Sequence, residues 1–192
     1  MKNLQVTNAK DLLDLTHKFK EIGTKDYKYR CHYDLIRENM KEGYVYKELG
    51  AFYGWSAAYA ALHGAQELHL VDIDFKPFNT HKHLFEEHLS KKDGKLELYQ
   101  CSSHDDRCVG PCDAMLIDSV HNWPWVKREL QLHAHTVKDW IVFHDTAMIH
   151  GRPSDIGPGI KQWLKEDHFG KEFELKEELT EGVGAMLIQR KK

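Results

Sequence analysis

The chain has 192 residues, of which 41% are hydrophobic and 30% are charged, and its formal net charge is −3. This length predicts one domain with a sizeable core, because two domains of half the size would each bury too little surface. The small net charge gives no general attraction to nucleic acid or anionic lipid, so a nucleic-acid partner is unsupported, and no apolar run is long enough to span a membrane.

Two helices are predicted before the first strand. Residues 8–22 place leucines at helical spacing, and a second helical segment covers roughly residues 27–41. We assign residues 1–43 to N-terminal helices within the same domain, where packing against a sheet is the favoured role. The alternative is a lid over the substrate, to which Tyr27, Tyr29 and Tyr33 would contribute aromatic surface.

A strand, a glycine turn, a helix and a second strand are predicted between Tyr44 and Asp74. The aromatic and β-branched run that begins at Tyr44 ends in a turn containing Gly50 and Gly54. Small, helix-forming residues follow, and the Ser56 hydroxyl can cap the helix start. The apolar segment LHLVDID comes next, so the whole segment is predicted to be a parallel βαβ unit.

The turn and the end of the second strand together predict a nucleoside site. Gly50 and Gly54 allow a ligand to approach the backbone N–H groups near the helix start. Asp72 lies roughly twenty residues beyond the turn, where a carboxylate can accept hydrogen bonds from both ribose hydroxyls. Phe52 replaces the middle glycine of the dinucleotide fingerprint, which argues against a pyrophosphate, and Glu48 favours a cationic group such as an ammonium.

Strands and helices continue to alternate downstream, which predicts an α/β sheet that binds ligands outside the carboxyl ends of its strands. The remaining predicted elements are helix 76–92, strand 95–101, strand 114–118, helix 123–135, strand 139–146, helix 156–170 and strands 171–179 and 182–190. The last two strands predict an antiparallel closing hairpin, which would be unusual in a dinucleotide-binding domain.

Acidic residues and a histidine stand at two further strand ends. Asp118 ends one predicted strand, and His144 and Asp145 end the next. A single helical crossover between these strands predicts that they are neighbours, so the side chains should converge. Two converging carboxylates repel each other unless a cation or a proton lies between them.

The four cysteines are Cys31, Cys101, Cys108 and Cys112. They form no C-x-x-C pair and match no common zinc-site spacing, which predicts reduced thiols in a cytoplasmic protein. The first residues, MKNLQVTNAKDLLDL, lack the hydrophobic region of a signal peptide, in line with that localisation.

The E-x-G-x-x-x-G-x-S run from Glu48 to Ser56, with Asp72, resembles the cofactor loop and ribose acid of class I S-adenosylmethionine-dependent methyltransferases. The pattern C-D-A-M-L-I-D-S-V-H-N-W, followed by W-I-V-F-H-D-T, resembles the family of macrocin-type and related small-molecule O-methyltransferases. The resemblance implies that residues 44–192 form an S-adenosylmethionine-binding domain. The implied fold is a Rossmann-like methyltransferase fold: a mostly parallel seven-stranded sheet with an antiparallel C-terminal hairpin and helices on both faces.

The resemblance also implies roles for individual residues. Contacts to S-adenosylmethionine are implied for Glu48, Gly50, Gly54, Ser56, Asp72, Ser102 beside the adenine, and Asp118. Asp118 and Asp145 match positions that hold a divalent cation or position the acceptor hydroxyl in metal-dependent relatives, and His144 stands where several relatives have a second acid or an amide. The predicted ligands of a Mg²⁺ or Mn²⁺ ion are therefore Asp118, His144 and Asp145. Without a metal, His121 or His144 is the general base and Asp118 positions the acceptor. The alternative is that these residues only cap helices and loops.

The expected activity is methyl transfer to a hydroxyl oxygen of a small-molecule or sugar-like acceptor. Two other interpretations stay open: a nicotinamide-dependent oxidoreductase, against which Phe52 counts, and a nucleoside-binding module without turnover. The sequence does not identify the acceptor, and it leaves a homo-oligomeric state open.

Overall fold

A computed structural model describes residues 9–22 and 31–192 of the protein. Of the lid residues suggested by the sequence, Tyr27 and Tyr29 lie outside the described residues, and Tyr33 is buried and stacks on Tyr59 with ring centroids 4.6 Å apart. The division of the chain at residue 43 stays a prediction. None of the helices in the described ranges is long and apolar enough to cross a membrane.

The elements follow the predicted order, with small shifts at their ends. The helices are α1 (Leu12–Ile22), α2 (Cys31–Asn39), α3 (Trp55–Leu62), α4 (Lys76–Asn79), α5 (Lys82–Ser90), α6 (Trp123–His133) and α7 (Ile156–Glu166). The strands are β1 (Tyr44–Leu49), β2 (Ala65–Asp72), β3 (Lys95–Gln100), β4 (Cys112–Ile117), β5 (Val137–His144), β6 (Met148–Ile149), β7 (Arg152–Pro153), β8 (Phe173–Leu179) and β9 (Ala185–Arg190). The helix predicted at 76–92 is divided into α4 and α5, and the short β6–β7 hairpin was not predicted.

Seven strands form one sheet in the order β3-β2-β1-β4-β5-β9-β8. Strands β1 to β5 pair in parallel, and β9 runs antiparallel to both β5 and β8. The predicted seven-stranded sheet with an antiparallel C-terminal hairpin is therefore confirmed. The interior strand β5 is an apolar run that is buried from Trp140 to Phe143, as expected of a strand covered on both faces.

Helices cover both faces of the sheet. On one face, α1, α2, α3 and α5 contribute to a core that includes Leu15, Ile36, Ala58 and Phe85. On the other face, α6 and α7 contribute Leu130, Ile160 and other residues to a second core. Strand β8 forms an edge of the sheet, and its exposed charged residues discourage pairing with another chain.

The strand register places the functional side chains next to one another. Leu49 of β1 pairs with both Val71 of β2 and Ile117 of β4, and Ile117 also pairs with Phe143 of β5. The residues that follow these positions are Gly50, Asp72, Asp118 and His144. They therefore lie side by side at the carboxyl edge of the sheet.

Gly50 and Gly54 are required for packing as well as for a turn. Gly50 has a φ of +92°, and a Cβ there would lie 2.3 Å from the backbone oxygen of Asp118. Gly54 has a φ of +75°, and its Cβ would lie 2.6 Å from the Phe78 ring. Both positions combine a left-handed backbone with a close approach that excludes a side chain.

Candidate active site

A cleft of about 430 Å³ opens at the carboxyl ends of β1, β2, β4 and β5. Six residues discussed as site candidates from the sequence line it: Gly50, Asp72, Asp118, His121, His144 and Asp145. The other lining residues are Phe52, Ser119, Ile149, His150 and Val183. The fold thus brings most of the predicted strand-end residues to one cavity.

The glycine turn holds the Asp72 carboxylate in place. The Phe52 backbone N–H donates to Asp72 Oδ2 at 2.8 Å, and the Asp74 N–H donates to Asp72 Oδ1 at 3.0 Å. Phe52 has a φ of 45°, which few non-glycine residues adopt, and 53% of its surface is exposed. This backbone conformation aims the Phe52 N–H at the carboxylate and leaves the ring at the cleft mouth.

Glu48 is not among the residues that line the cleft. Its side chain is buried, and Glu48 Oε2 accepts a hydrogen bond from the Tyr46 hydroxyl at 3.2 Å. Burial, with the nearby Asp118 and Asp72 carboxylates, raises the pKa of Glu48 well above its usual value. A cationic group placed nearby would favour the ionised form of this carboxyl.

Two histidine–carboxylate pairs occupy the β4 and β5 ends of the cleft. His144 Nδ1 lies 3.1 Å from Asp118 Oδ1, and His121 Nδ1 lies 2.6 Å from Asp145 Oδ2. His121 Nε2 lies 3.7 Å from Asp118 Oδ1, so the two pairs are in contact. The hydrogen bond to Asp145 raises the pKa of His121 above its usual value, with burial opposing it.

The two histidines differ in their access to a ligand. The His121 side chain is 39% exposed, whereas that of His144 is 10% exposed. Each ring turns Nδ1 toward a carboxylate, an arrangement that orients the imidazole and favours a proton on Nδ1. Of the two, His121 is the one a bound acceptor can reach directly.

Asp118, His121 and Asp145 also form a group suited to a divalent cation. Each offers one ligand atom, and the three atoms lie within 4.8 Å of one another. Two carboxylates and an imidazole are a donor set that several divalent metals accept. The predicted set had His144 in place of His121, and His144 Nδ1 also lies 3.1 Å from Asp118 Oδ1 and 3.6 Å from Asp145 Oδ1.

The other predicted cofactor contacts lie away from the lining. Ser56 is buried, and its Oγ hydrogen-bonds His32 Nε2 at 3.0 Å. The Ser102 Oγ accepts from the His104 backbone N–H at 3.2 Å. Gly54 packs against Phe78, as described above. These three assignments stay predictions.

The sequence interpretation missed two contributions to the site. His32 of α2 packs edge-on against the His144 ring, with centroids 4.3 Å apart, so an N-terminal helix contacts a site residue. The β6–β7 hairpin contributes Ile149 and His150 to the cleft. His150 and Gly151 have φ values of 49° and 77°, as in a two-residue type I′ turn. The dipeptide His-Gly, unlike Asn-Gly, is a weak signal for that turn.

No protein-family model matches the sequence, and no curated protein matches it either. Solved structures do resemble it. SMU.1697c from Streptococcus mutans, crystallised with S-adenosylhomocysteine, aligns with a TM-score of 0.59 and 10% identity over 86% of this chain and 99% of that chain. An rRNA methylase from Streptococcus thermophilus aligns with a TM-score of 0.59 and 9% identity over 87% and 98%.

An O-methyltransferase family protein from Burkholderia thailandensis aligns with a TM-score of 0.61 and 13% identity, over 94% of this chain and 60% of that chain. At these identities the likeness concerns the fold. The chain has the Rossmann-like fold of class I S-adenosylmethionine-dependent methyltransferases, as predicted.

Proposed function

We propose that this protein is an S-adenosylmethionine-dependent methyltransferase that acts on a hydroxyl oxygen of a small-molecule or sugar-like acceptor. The observation that carries the proposal is one cleft that combines a ribose-type acid, Asp72, with the His121–Asp145 and His144–Asp118 pairs. A structural neighbour of the same fold that was crystallised with S-adenosylhomocysteine supports the choice of cofactor.

The cofactor half of the cleft centres on Gly50 and Asp72. Asp72 is held by the turn in a position to accept hydrogen bonds from ribose hydroxyls, and Phe52 covers the same end of the cleft. Glu48 is buried and does not line the cleft, and a methionine ammonium bound nearby would favour the ionised form of its carboxyl. These residues bind and orient the cofactor.

The acceptor half of the cleft can remove a proton. S-adenosylmethionine, when bound, supplies a methyl group already activated on a sulfonium sulfur, so the protein must mainly align the acceptor and deprotonate it. His121 takes the hydroxyl proton on Nε2, because Nδ1 faces Asp145. Asp118 accepts a hydrogen bond from His144 and fixes that ring beside the acceptor.

Metal assistance is a second candidate for the proton step, favoured by the cluster of Asp118, His121 and Asp145. Mg²⁺ or Mn²⁺ at this group would lower the pKa of the acceptor hydroxyl. A cation with this role is expected to make methyl transfer sensitive to exhaustive chelation and restorable by either metal. Asp145→Asn should then lose metal binding, measured by calorimetry, while it still binds S-adenosylhomocysteine. Transfer that survives chelation would leave His121 or His144 as a metal-free base.

RNA is the alternative acceptor, because several structural neighbours are described as methylases of rRNA, tRNA or RNA. The net charge of −3 gives this acceptor no general electrostatic support. Incubating the protein with tritiated S-adenosylmethionine and a fractionated cell extract tests both acceptors at once. Label in the small-molecule fraction supports the proposal. Label confined to RNA contradicts it and identifies RNA as the acceptor.

Ligand stabilisation tests the class of cofactor. S-adenosylhomocysteine is expected to raise the melting temperature, because it binds the native state, and NAD(H) is expected to leave it unchanged. The reverse result would favour the oxidoreductase. Stabilisation without transfer to any fraction would favour a nucleoside-binding module.

Replacing Asp72 with alanine is expected to weaken S-adenosylhomocysteine binding at least about tenfold. The change removes hydrogen bonds from ribose hydroxyls to an ionised group, each worth roughly 1.5–3 kcal/mol. Calorimetry measures the effect, and Asp74→Asn on the exposed neighbouring residue is the matched control. Unchanged affinity in Asp72→Ala would remove this carboxylate from the site.

A further inference from the structure

The β6–β7 hairpin forms a wall of the acceptor half of the cleft. It follows Asp145 closely in the chain, and two of its residues, Ile149 and His150, line the cleft. The hairpin is anchored at its base, because the Met148 backbone N–H donates to the Val183 carbonyl at 3.0 Å. Its side chains are therefore held in a defined position beside a bound acceptor.

Arg152 lies on the face of the hairpin that borders the cleft. It pairs with Ile149 across the two strands, and Met148 pairs with Pro153. Residues directly opposite in an antiparallel pair point to the same side, with Cβ atoms about 4.5–5.5 Å apart. Because Ile149 lines the cleft, Arg152 is on the cleft side, and Met148 and Pro153 are on the other side. The guanidinium, on a long flexible stem, can therefore reach a ligand at the cleft mouth.

The guanidinium of Arg152 has no carboxylate partner among residues 9–22 and 31–192, and the residue is exposed. By contrast, Arg37, Arg107 and Arg190 each form an ion pair with a carboxylate. Arg128 is also unpaired and exposed, but it belongs to α6, which contributes no residue to the cleft. A guanidinium presents a planar set of N–H donors that matches an oxyanion, so Arg152 offers an unused oxyanion site beside the cleft.

The carboxylates in the acceptor half do not prevent an anion from binding at the hairpin. Asp145 Oδ2 lies 2.6 Å from His121 Nδ1, and Asp118 Oδ1 lies 3.1 Å from His144 Nδ1. Each carboxylate thus faces an imidazole nitrogen, which offsets part of its charge when it carries a proton. The repulsion that these carboxylates exert on an anionic acceptor is reduced accordingly.

We infer that the acceptor carries an oxyanion, a carboxylate or a phosphate, in addition to its hydroxyl, and that Arg152 binds this oxyanion. The inference rests on the function proposed above. Arg152 determines which acceptors bind, whereas His121 acts on the hydroxyl. In the transfer, the hydroxyl oxygen bonds to the methyl carbon as the carbon–sulfur bond breaks, the proton goes to His121 Nε2, and S-adenosylhomocysteine leaves. The oxyanion takes no part in these steps and keeps its charge.

A small acid fits the hairpin better than RNA, although RNA phosphates are oxyanions too. Affinity for nucleic acid comes from several phosphate contacts at once, whereas the hairpin offers one arginine. The net charge of −3 adds no further attraction.

The first test asks which small molecules accept the methyl group. A cell extract is ultrafiltered to remove RNA and protein, and the filtrate is separated on an anion-exchange resin at about pH 8, where carboxylates and phosphates are ionised. The bound and unbound fractions are each incubated with the wild-type protein and tritiated S-adenosylmethionine. We expect label in the bound fraction, on a product that the resin still retains, because methylation of a hydroxyl leaves the oxyanion charged.

Label only in the unbound fraction would overturn the inference, since the acceptor would then be neutral or cationic. Label in neither fraction, or label only in the RNA that the filter retains, would contradict the proposed function instead. Treating the bound fraction with alkaline phosphatase before the assay distinguishes the two oxyanions. Loss of acceptor activity identifies a phosphate and retained activity identifies a carboxylate, and both results support the inference.

The second test removes the guanidinium. Arg152→Gln should raise at least about tenfold the amount of bound fraction that gives the half-maximal rate, because hydrogen bonds to an ionised group are lost. The maximal rate and the affinity for S-adenosylhomocysteine should change by less than about threefold, since Arg152 contributes only to acceptor binding. Arg152→Lys keeps the charge and should recover part of the loss. Arg128→Gln is the matched control and should behave as the wild type does.

An unchanged half-saturating amount in Arg152→Gln would overturn the inference. A loss of acceptor binding that is matched by an equal loss of S-adenosylhomocysteine affinity would overturn it as well, because it would show only a structural role.

Acceptor binding can also be measured without turnover. With S-adenosylhomocysteine present, the bound fraction should raise the melting temperature of the wild type more than that of Arg152→Gln, because a ligand stabilises the state that binds it. Added salt should reduce this difference, since it screens an exposed ion pair. Equal stabilisation of the two proteins would overturn the inference.

Discussion

His121→Ala is expected to lower the rate of methyl transfer by about 10²–10⁴-fold, the range that a positioned general base contributes. His121 lines the cleft, is oriented by Asp145 at 2.6 Å, and is more exposed than His144. The same loss is expected if His121 holds a cation, because the cation group then loses a ligand. Affinity for S-adenosylhomocysteine should change little, since the cofactor is assigned to the Gly50–Asp72 end.

The measurement is the rate of label transfer from tritiated S-adenosylmethionine to the extract fraction that accepts it. His83→Ala, which removes an exposed histidine on α5, is the matched control and should retain full activity. Melting temperatures of both variants establish that the fold is intact. Transfer by His121→Ala within about threefold of the wild-type rate would contradict the assignment and favour His144 as the base.

Glu129→Gln is expected to change how the free energy of unfolding depends on pH. The pKa of Glu129 is about 7 in the folded protein, against 4.5 for an ordinary glutamate. The native state therefore binds the proton more tightly, and the free energy of unfolding falls as pH rises from about 4.5 to about 7. This difference corresponds to about 3 kcal/mol, so the glutamine variant should gain up to about that much over wild type at pH 8.

At pH 4.5 the two proteins should have similar stability, because the wild-type carboxyl is then largely protonated when folded. Urea titrations at pH 4.5, 6 and 8 measure the effect as the difference between variant and wild type. Glu166→Gln removes an exposed carboxyl on α7 and serves as the control. If the free energy of unfolding changes with pH in the same way in Glu129→Gln and in the wild type, then ionisation of the buried Glu129 carboxyl does not cause the expected loss of stability.

Local signals were enough to predict the sheet. The apolar run of β5, the glycine turn after β1 and the acidic residue at the end of β2 are each contained in fewer than ten residues. The neighbouring positions of Asp118 and His144 could also be predicted, because one helical crossover joins their strands. Helix boundaries were less certain: the segment from Pro77 onward is divided into two helices that periodicity alone did not separate.

The contacts within the site could not be predicted from such local signals. Glu48 was predicted beside the turn, but whether a strand-end carboxyl faces the cleft or the core depends on the strand's twist and its neighbours. His121 pairs with Asp145 across 24 residues of chain, and no periodic pattern connects them. Metal ligation was accordingly predicted with His144, and the structure brings His121 as well as His144 close to the two carboxylates.

The sequence by itself determined the order along the chain of the seven strands of the sheet, the antiparallel closing hairpin, and the set of acidic and histidine residues at the strand ends. Hydrophobic periodicity and turn chemistry depend on near neighbours in the chain, which is why they could be recognised there. Only the tertiary structure brings His121 to Asp145 and buries Glu129 of α6. It also places the Asp118 backbone so close to Gly50 that no side chain fits at that position. These contacts join distant residues, and they depend on strand register and helix rotation that only the packed core specifies.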